Sequence, residues 1–385
     1  SARVFGFRWR PGDGACEREV KAKAGLLPAG FTTIVDRRGV LLLLLAGAAA
    51  PLILPDALGV IVGPLFRRSG GVSAPVTAID AKAAWTLAES KGEALLRHHW
   101  GGWLALLHDR GRDTLYVLRD PCGAGALFFR RQPRGLTLLC SHLDDLIAVE
   151  PDLAPDQTML AAFMAQPRLI TRRTAVEGVA ELLPGCRLAL GRDDVCEETP
   201  WRPVASTEQL KLAEGAKALH ATLSEVAKCW VRYARTLSDT PIAHRLSGGF
   251  DSAIVAAALI RAGGRIQGFN EYPHGAPEGD ERQYAASVAH LHGFPLQVVE
   301  ARPEAVDYAR LLDCEIMARP SHAQFSFADL TLPQAFAATG ARVVASGQGG
   351  DQVLHRSRTA AIAADAVLDH RPLRESWRII MATAR

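Results

Sequence analysis

Short apolar runs separated by polar turns fill most of the first half of the chain. They lie at residues 4–9, 39–45, 59–65, 103–108, 114–119, 126–130 and 136–141. Their length, and their borders of glycine, proline or charged residues, are typical of β-strands. The last four runs form two pairs around polar turns that contain glycine, which predicts two β-hairpins. Helical spacing of apolar residues occurs at residues 81–100 and 158–165.

The pattern changes after a polar stretch around Pro203. Residues 210–237 carry apolar side chains at helical spacing, which predicts one long amphipathic helix. Strands are predicted at residues 241–246, 265–270, 295–299 and 343–346, and helices at residues 253–262, 280–292, 302–317 and 332–339. Such regular alternation is typical of a parallel sheet covered by helices. We therefore predict a mostly antiparallel β domain at residues 1–203 and an α/β domain at residues 204–385.

Composition narrows the function classes. The chain has 385 residues, 48% hydrophobic and 22% charged, with a formal net charge of +3. This balance gives no case for a nucleic-acid partner. The seven cysteines are scattered without a CxxC pair, which argues against a zinc ribbon or a disulfide framework and fits a reducing compartment. The most apolar run, residues 40–54, is shorter than the ~20 residues that span a bilayer. We expect a cytoplasmic protein without a membrane partner.

The segment 247–252, Ser-Gly-Gly-Phe-Asp-Ser, lies between a predicted buried strand and an alanine-rich helix. This order suits phosphate, because a helix N-terminus presents free N–H groups and glycines let the backbone approach an anion. Asp251 alone would repel phosphate, so its presence indicates a Mg²⁺ ion that bridges the two. The loop is neither a Walker A loop nor the dinucleotide fingerprint. A plain helix N-cap is the alternative interpretation.

A second glycine-rich segment, residues 346–352, follows the last predicted strand. Parallel strands bring their carboxyl ends to one edge of the sheet, so Asp251 and Asp351 are expected to lie close together there. Two carboxylates, together with phosphate oxygens and water, can complete a Mg²⁺ site. A solvated turn aspartate is the alternative for Asp351.

These two segments resemble the loops of the asparagine synthetase superfamily, whose members use Mg²⁺ and ATP to convert a carboxylate into an acyl-adenylate. Hairpins within residues 101–141 are similar, more weakly, to the glutaminase-type (Ntn-type) domain of that family. The resemblance implies that Asp251, Asp351 and Gln348 are catalytic, with both aspartates as metal ligands. The residues assigned to the nucleotide by the loop and by the resemblance are Leu246, Ser247, Gly248, Gly249, Asp251, Ser252, Phe269, Asn270, Ser346 and Gly347.

Two departures from the family shape the expected product. Glutamine-dependent members begin with a nucleophilic cysteine, whereas this sequence begins with Ser1, which we interpret as a leftover residue. We therefore expect the first domain to be an inactive glutaminase. The family also has a late catalytic lysine, whereas the last lysine here is Lys228, so the second domain is expected to be truncated at its C-terminus.

The second loop is most similar to that of lasso peptide cyclases, because Gln348 stands where β-lactam synthetases have tyrosine and asparagine synthetases have glutamate. This resemblance implies a precursor peptide as substrate. It also implies a leader peptidase and a leader-recognition protein as partners. A β-lactam synthetase-like enzyme, an asparagine synthetase and a truncated ATP-binding pseudoenzyme are the alternatives.

Overall fold

The computed structural model describes most of both predicted domains. The described residues are 2–47, 49–68, 74–167, 169–192, 194–202, 211–275, 277–302, 315–319 and 327–350, with five separate positions between 372 and 381. The predicted boundary at residues 203 and 204 therefore lies outside them and stays a prediction. Within this part of the chain, no helix has the length and apolar character needed to cross a membrane.

The first domain contains fourteen strands and five helices among its described residues. The strands are β1 (Arg3–Arg8), β2 (Thr32–Arg37), β3 (Val40–Leu45), β4 (Leu52–Leu54), β5 (Gly59–Val62), β6 (Leu65–Arg67), β7 (His99–Gly101), β8 (Leu104–Asp109), β9 (Thr114–Arg119), β10 (Phe128–Arg131), β11 (Thr137–Cys140), β12 (Val179–Glu181), β13 (Arg187–Leu190) and β14 (Val195–Glu198). The helices are α1 (Gly14–Ala24), α2 (Ala81–Glu89), α3 (Glu93–His98), α4 (Leu143–Val149) and α5 (Gln157–Ala165).

Two six-stranded antiparallel sheets form the centre of this domain. Their strand orders are β12-β10-β11-β1-β3-β2 and β14-β13-β9-β8-β5-β4. The core between them contains Val4, Leu42 and Leu106, while Phe5 and Phe7 on the outer face of the first sheet pack with α1 and α4. Helices α2 and α3 cover the outer face of the second sheet. The resulting helix–sheet–sheet–helix layers are those of a glutaminase-like, Ntn-type domain.

The second domain is a parallel α/β sheet. Its strands are β15 (Ile242–Arg245), β16 (Ile266–Pro273), β17 (Leu296–Ala301) and β18 (Val344–Ser346), and its helices are α6 (Leu212–Leu237), α7 (Phe250–Arg261), α8 (Arg282–His292) and α9 (Phe327–Ala338). The sheet order is β17-β16-β15-β18, and every pair is parallel. Helices α6, α7 and α8 share one core with β15 and β16, and α9 packs on the opposite face. The fold predicted for this half is confirmed.

Two predicted helices need correction, and one helix was not predicted. The helix predicted at residues 81–100 divides into α2 and α3, and its last residues form β7. The break occurs at Gly92, whose φ is +80° and whose added Cβ would lie 2.6 Å from a Leu118 methyl group. Helix α1 was missed, because only two of its side chains, Cys16 and Val20, are buried. The helix predicted at residues 302–317 falls mostly outside the described residues, and residues 315–317 are not helical.

Aromatic rings join the two domains. Phe66 of the first domain stacks on Trp100 at 4.5 Å and meets Trp230 and Tyr233 of α6 edge-on, at 5.6 and 6.4 Å between ring centroids. Edge-to-face pairs of this kind add about 0.5–1.5 kcal/mol each beyond their buried area. The long helix α6 is therefore fixed against the β domain through its second half.

A short segment of the second half of the chain, residues 315–319, also lies against the first domain. The Ala175 N–H donates to the Ala318 carbonyl at 2.6 Å, and the Ile316 N–H donates to the Asp144 carboxylate at 3.2 Å. Arg319 forms an ion pair with Glu181, which is also paired with Arg119 at 2.7 Å. One carboxylate thus holds two guanidinium groups, one from each half of the chain.

Replacing Glu181 with alanine is expected to lower the free energy of unfolding by about 3–5 kcal/mol, the usual cost of removing one partner from a buried ion pair. Glu181 and Arg119 are 5% and 7% exposed, so water cannot replace the lost carboxylate. Urea unfolding measures the change. The control is Glu19→Ala, which removes a partly exposed pair with Lys23 and should change stability by less than about 0.5 kcal/mol. Equal losses in both variants would contradict the expectation.

Candidate active site

The loop after β15 is shaped by its own hydroxyl groups. The Gly249 N–H donates to Ser247 Oγ at 3.3 Å, Ser252 Oγ donates to the Gly249 carbonyl at 3.0 Å, and the two serine oxygens lie 3.2 Å apart. Helix α7 begins at Phe250, three residues earlier than predicted, so Asp251 and Ser252 belong to its first turn. The N–H groups of a first helical turn lack helical acceptors and carry partial positive charge. The loop therefore ends in a site suited to an anion.

Gly248 shows why this loop requires glycine. Its φ is +92°, and an added Cβ would lie 2.9 Å from Tyr284 Cβ and 3.1 Å from the Glu281 carbonyl oxygen. The loop thus packs directly against the start of α8. Glu281, the residue before this helix, is thereby brought beside the loop.

The second glycine loop touches the first. An added Cβ on Gly347 would lie 2.6 Å from the Asp251 carbonyl carbon and would overlap the Ser252 nitrogen. Gly350 faces the Asp251 side chain, since its added Cβ would lie 2.7 Å from Oδ1 and would overlap Oδ2. Asp351 lies outside the described residues, but it is bonded to Gly350. The structure therefore places Gly350, the residue before Asp351, against the Asp251 carboxylate.

Ser346 and Gln348 belong to the same turn. The Gln348 N–H donates to Ser346 Oγ at 3.3 Å, and the Gln348 side chain is exposed. Both follow β18, which pairs with β15. The two loops assigned to the nucleotide thus leave neighbouring strands at the carboxyl edge of the sheet. The catalytic role assigned to Gln348 stays a prediction.

Phe269 and Asn270 are fully buried in the structure. Phe269 packs edge-on against Phe336 at 4.9 Å, and Asn270 Nδ2 donates to the Leu246 carbonyl at 2.8 Å. The Leu246 N–H in turn donates to the Phe269 carbonyl at 2.8 Å. These side chains fix the end of β15, where the loop begins. A direct contact between them and adenine stays a prediction.

Sequence reasoning missed His244. This fully buried residue of β15 lies 2.9 Å, through Nε2, from the Ser252 carbonyl oxygen, and so ties the strand to the first turn of α7. Burial lowers the pKa of its imidazole, opposed by hydrogen bonds with the backbone. The signal available in the sequence for this residue was a histidine within an apolar strand that immediately precedes a glycine-rich loop.

The stability of the second domain is expected to decrease below about pH 6.5, the unfolded pKa of histidine. The folded pKa of His244 lies lower, so the unfolded state binds more protons as the pH falls through this window. Thermal unfolding at about pH 7.5 and about pH 5.5 measures the loss, and His244→Gln should reduce it. His274→Gln is the control, because His274 is exposed and lies in the turn after β16. Equal pH dependence in the wild type and His244→Gln would contradict the assignment.

A large cavity separates the two domains beside this sheet. Its volume is about 1100 Å³. The β domain contributes Val62, Leu104 and Phe128 among others, and the second half of the chain contributes residues of α6, residues 315–319 and residues 342–344. Arg119 and Glu181 line it as a buried ion pair. The cavity reaches the beginning of β18, whose other end leads into the second glycine loop.

His142 lies in the wall of this cavity. Its Nδ1 is 2.8 Å from Ser141 Oγ, and its Nε2 is 3.9 Å from a Glu315 carboxylate oxygen. Burial lowers the pKa of this imidazole, and Glu315 partly opposes the shift. The Ser141 hydroxyl also accepts a hydrogen bond from the Val4 N–H at 2.9 Å, which fixes the start of β1 at the same wall.

Two contacting glycine loops thus lie at the carboxyl edge of a parallel sheet, next to a glutaminase-like domain. Family models match both halves of the chain. An asparagine synthase model matches residues 233–371, and a glutamine amidotransferase domain model matches residues 74–201. The two matches support a place in the asparagine synthetase superfamily. They also support the assignment of the two domains to the ATP-utilising, amidotransferase-like type.

Similar solved structures are distant. NMN synthetase from Francisella tularensis is 17% identical over 24% of this chain and 38% of its own, with a TM-score of 0.20. Glutamine PRPP amidotransferase from B. subtilis is 9% identical over 89% and 90%, with a TM-score of 0.32. Glutamine-dependent NAD⁺ synthetase from Acinetobacter baumannii is 16% identical over 44% and 32%, with a TM-score of 0.28. No curated protein sequence matches the chain. Likenesses this weak carry no functional argument.

Proposed function

We propose that this protein is an ATP-dependent peptide macrocyclase. It would adenylate an Asp or Glu side chain of a precursor peptide, then join that carbonyl to the peptide's N-terminal amine, as in the ring of a lasso peptide. The observation that carries the proposal is the contact of Gly347 and Gly350 with Asp251 and Ser252. That contact assembles one site from the two loops that a nucleotide would need.

The loops suit ATP and Mg²⁺. The first turn of α7 offers N–H groups to phosphate oxygens, and the Ser247 hydroxyl is exposed beside it. Among the described residues, no group of three or more His, Cys, Asp or Glu side chains converges on one point. Mg²⁺ needs only one or two carboxylates, because phosphate and water complete its shell. Asp251 and Asp351 would hold it, and it would neutralise charge on the departing pyrophosphate.

The proposed chemistry consists of an adenylyl transfer followed by an acyl transfer. A peptide carboxylate oxygen attacks the α-phosphorus of ATP, and the bond to pyrophosphate breaks. The neutral N-terminal amine then attacks the acyl carbon, the bond to the AMP oxygen breaks, and the amine proton passes to solvent. The peptide loses the atoms of one water molecule overall, and the lost carboxylate oxygen leaves as part of AMP. Holding amine and carboxylate together contributes up to ~7–11 kcal/mol in favourable cases.

The size of the interdomain cavity supports a peptide substrate. Sites for small molecules usually measure about 300–1,000 Å³, and the cavity beside β18 exceeds that range at about 1100 Å³. Free aspartate would fill a small part of such a space. Gln348 also supports this proposal. At this position the chain resembles the lasso cyclases, whereas the related synthetases have tyrosine or glutamate. A leader peptidase and a leader-recognition protein are the proposed partners, and the cytoplasm the proposed location.

The test is the mass of the product. The protein is incubated with Mg²⁺, ATP and linear peptides that have a free N-terminal amine and one internal Asp or Glu at varied positions. Loss of one water from a peptide, with stoichiometric AMP and pyrophosphate, supports the proposal. Pyrophosphate release that requires free aspartate and occurs without peptide would overturn it.

An asparagine synthetase-like activity is the second candidate. The observation that favours it is the match of residues 74–201 to the glutamine amidotransferase domain, since that domain type is associated with ammonia release. Aspartate with ammonium or glutamine, assayed for asparagine and AMP, tests it directly. Asparagine formation without a peptide would establish this activity in place of the macrocyclase.

A further inference from the structure

Arg245 is the last residue of β15, two positions before Ser247 of the first glycine loop. It pairs with Phe269 of β16 on one side and with Ser346 of β18 on the other. Residues paired in register on neighbouring strands present their side chains on the same face of the sheet. Arg245 and Ser346 are therefore neighbours on one face, at the edge where both glycine loops leave the sheet.

An ion pair with Glu271 directs the Arg245 side chain towards that edge. Arg245 Nη2 lies 3.5 Å from Glu271 Oε2. Glu271 follows Phe269 by two residues along β16, so it lies on the same face and about 7 Å nearer the carboxyl end of the sheet. The guanidinium group thus extends past the end of its own strand, towards the region where the loops begin.

The two partners of this ion pair differ in exposure. The Glu271 side chain is 11% exposed, whereas the Arg245 side chain is 44% exposed. A largely buried carboxylate therefore anchors a guanidinium group that has an accessible side. The guanidinium fork has five N–H donors, so it can contact Glu271 through one nitrogen and an anion of carboxylate or phosphate geometry through the others.

Adenylation would benefit from a cation at this position. A peptide carboxylate must approach the α-phosphate, and both groups are anions. Asp251 adds a further negative charge at the same edge of the sheet. A guanidinium group fixed in advance would offset this repulsion, and its hydrogen bonds to an ionised oxygen are roughly twice as strong as those between neutral groups.

We propose that Arg245 binds an anionic oxygen at the adenylation site, supplied by the α-phosphate of the nucleotide or by the reactive carboxylate of the peptide. This inference rests on the proposed macrocyclase function and adds a binding residue to its site. Glu271 is then a positioning residue, because it acts by holding the guanidinium group of Arg245.

Two pairs of ligands that differ by one anion test the proposal. Binding of AMP and of adenosine is measured by calorimetry. Fluorescein-labelled linear peptides with Asp or Asn at the same position are titrated by anisotropy, with a non-hydrolysable ATP analogue present. We expect Arg245→Gln to reduce the preference for AMP over adenosine, or for the Asp peptide over the Asn peptide, about tenfold, or ~1.4 kcal/mol. Binding of adenosine and of the Asn peptide should be unchanged.

The matched control is Arg265→Gln, because Arg265 is exposed and precedes β16 at the amino edge of the same sheet. This control should behave as the wild type. Arg245→Lys keeps the charge without the fork and should retain part of the preference. Glu271→Gln should reduce the same preference by less than Arg245→Gln does. The double variant Arg245→Gln/Glu271→Gln removes both charges together, and it replaces the single variant if thermal unfolding shows that Arg245→Gln is unstable.

Loss of the AMP preference assigns the phosphate as the ligand, and loss of the Asp preference assigns the carboxylate. Unchanged preferences in Arg245→Gln, or no such preference in the wild type, would overturn the inference. Equal weakening of both members of each pair would also overturn it, because Arg245 would then only shape the loop. Wild-type AMP binding without cyclisation of any peptide would reject the macrocyclase function alone, and the comparison of AMP with adenosine would still decide the role of Arg245. No binding of AMP by the wild type would overturn both.

Discussion

Replacing Asp251 with asparagine is expected to lower peptide-dependent ATP–pyrophosphate exchange at least ~100-fold. The carboxylate is half-buried in the first turn of α7, with Gly350 against it. The side-chain amide keeps the size of the carboxylate and removes the charge that would hold Mg²⁺. Such an ion contributes several kcal/mol to charge stabilisation, and each ~1.4 kcal/mol is tenfold in rate.

The matched control is Asp239→Asn. Asp239 is exposed and precedes β15, so it lies at the amino edge of the same sheet. The same chemical change there should leave exchange and the Mg²⁺-ATP thermal shift unaltered. Asp351→Asn should resemble Asp251→Asn, and the double variant should cost little more than either alone if one ion needs both ligands. Normal exchange in Asp251→Asn would remove the metal-ligand assignment.

The local order of strand, loop and helix around this site could be predicted from sequence. A buried apolar run, two glycines and an alanine-rich segment each determine local structure within a few residues. They predicted β15 and α7 with small errors at the ends of these elements. The main error was the start of α7. Phe250 already lies in the helix, so Asp251 sits where the helix dipole favours a negative charge.

Contacts across the chain could not be predicted in the same way. His244 acts on Ser252 because β15 and α7 fold back on each other, and its apolar strand gave no sign of that partner. The assignment of Phe269 and Asn270 to the nucleotide rests on the resemblance and stays a prediction. The sequence did not show that both residues are fully buried. A pattern along one strand does not show which groups remain open to a ligand once the neighbouring helices are in place.

The size and lining of the interdomain cavity could not be predicted from the sequence. Its size depends on how α6 and residues 315–319 meet the β domain, through Phe66 and through Glu181. Those contacts join residues more than a hundred positions apart.

The second large effect is expected from Gly347→Ala, which should lower exchange about 100-fold. The added Cβ would overlap the Ser252 nitrogen and approach the Asp251 carbonyl carbon, both backbone atoms that cannot move without displacing the first turn of α7. The two loops must then separate, and a misplacement of about 1 Å at a reacting centre can cost ~100-fold. Pyrophosphate exchange and the Mg²⁺-ATP thermal shift measure the loss.

Gly14→Ala is the control, since Gly14 begins α1, is exposed, and would place its Cβ no closer than 3.7 Å to any atom. It should leave exchange unchanged. Gly347→Ala should also lower the free energy of unfolding by about 1–3 kcal/mol, as overpacking usually does. The free energy of unfolding reports on the packing of the loops, whereas the exchange rate reports on adenylation. Lost stability with full exchange would mean that the loops need not touch for adenylation, and that Asp351 does not depend on this contact to reach Asp251.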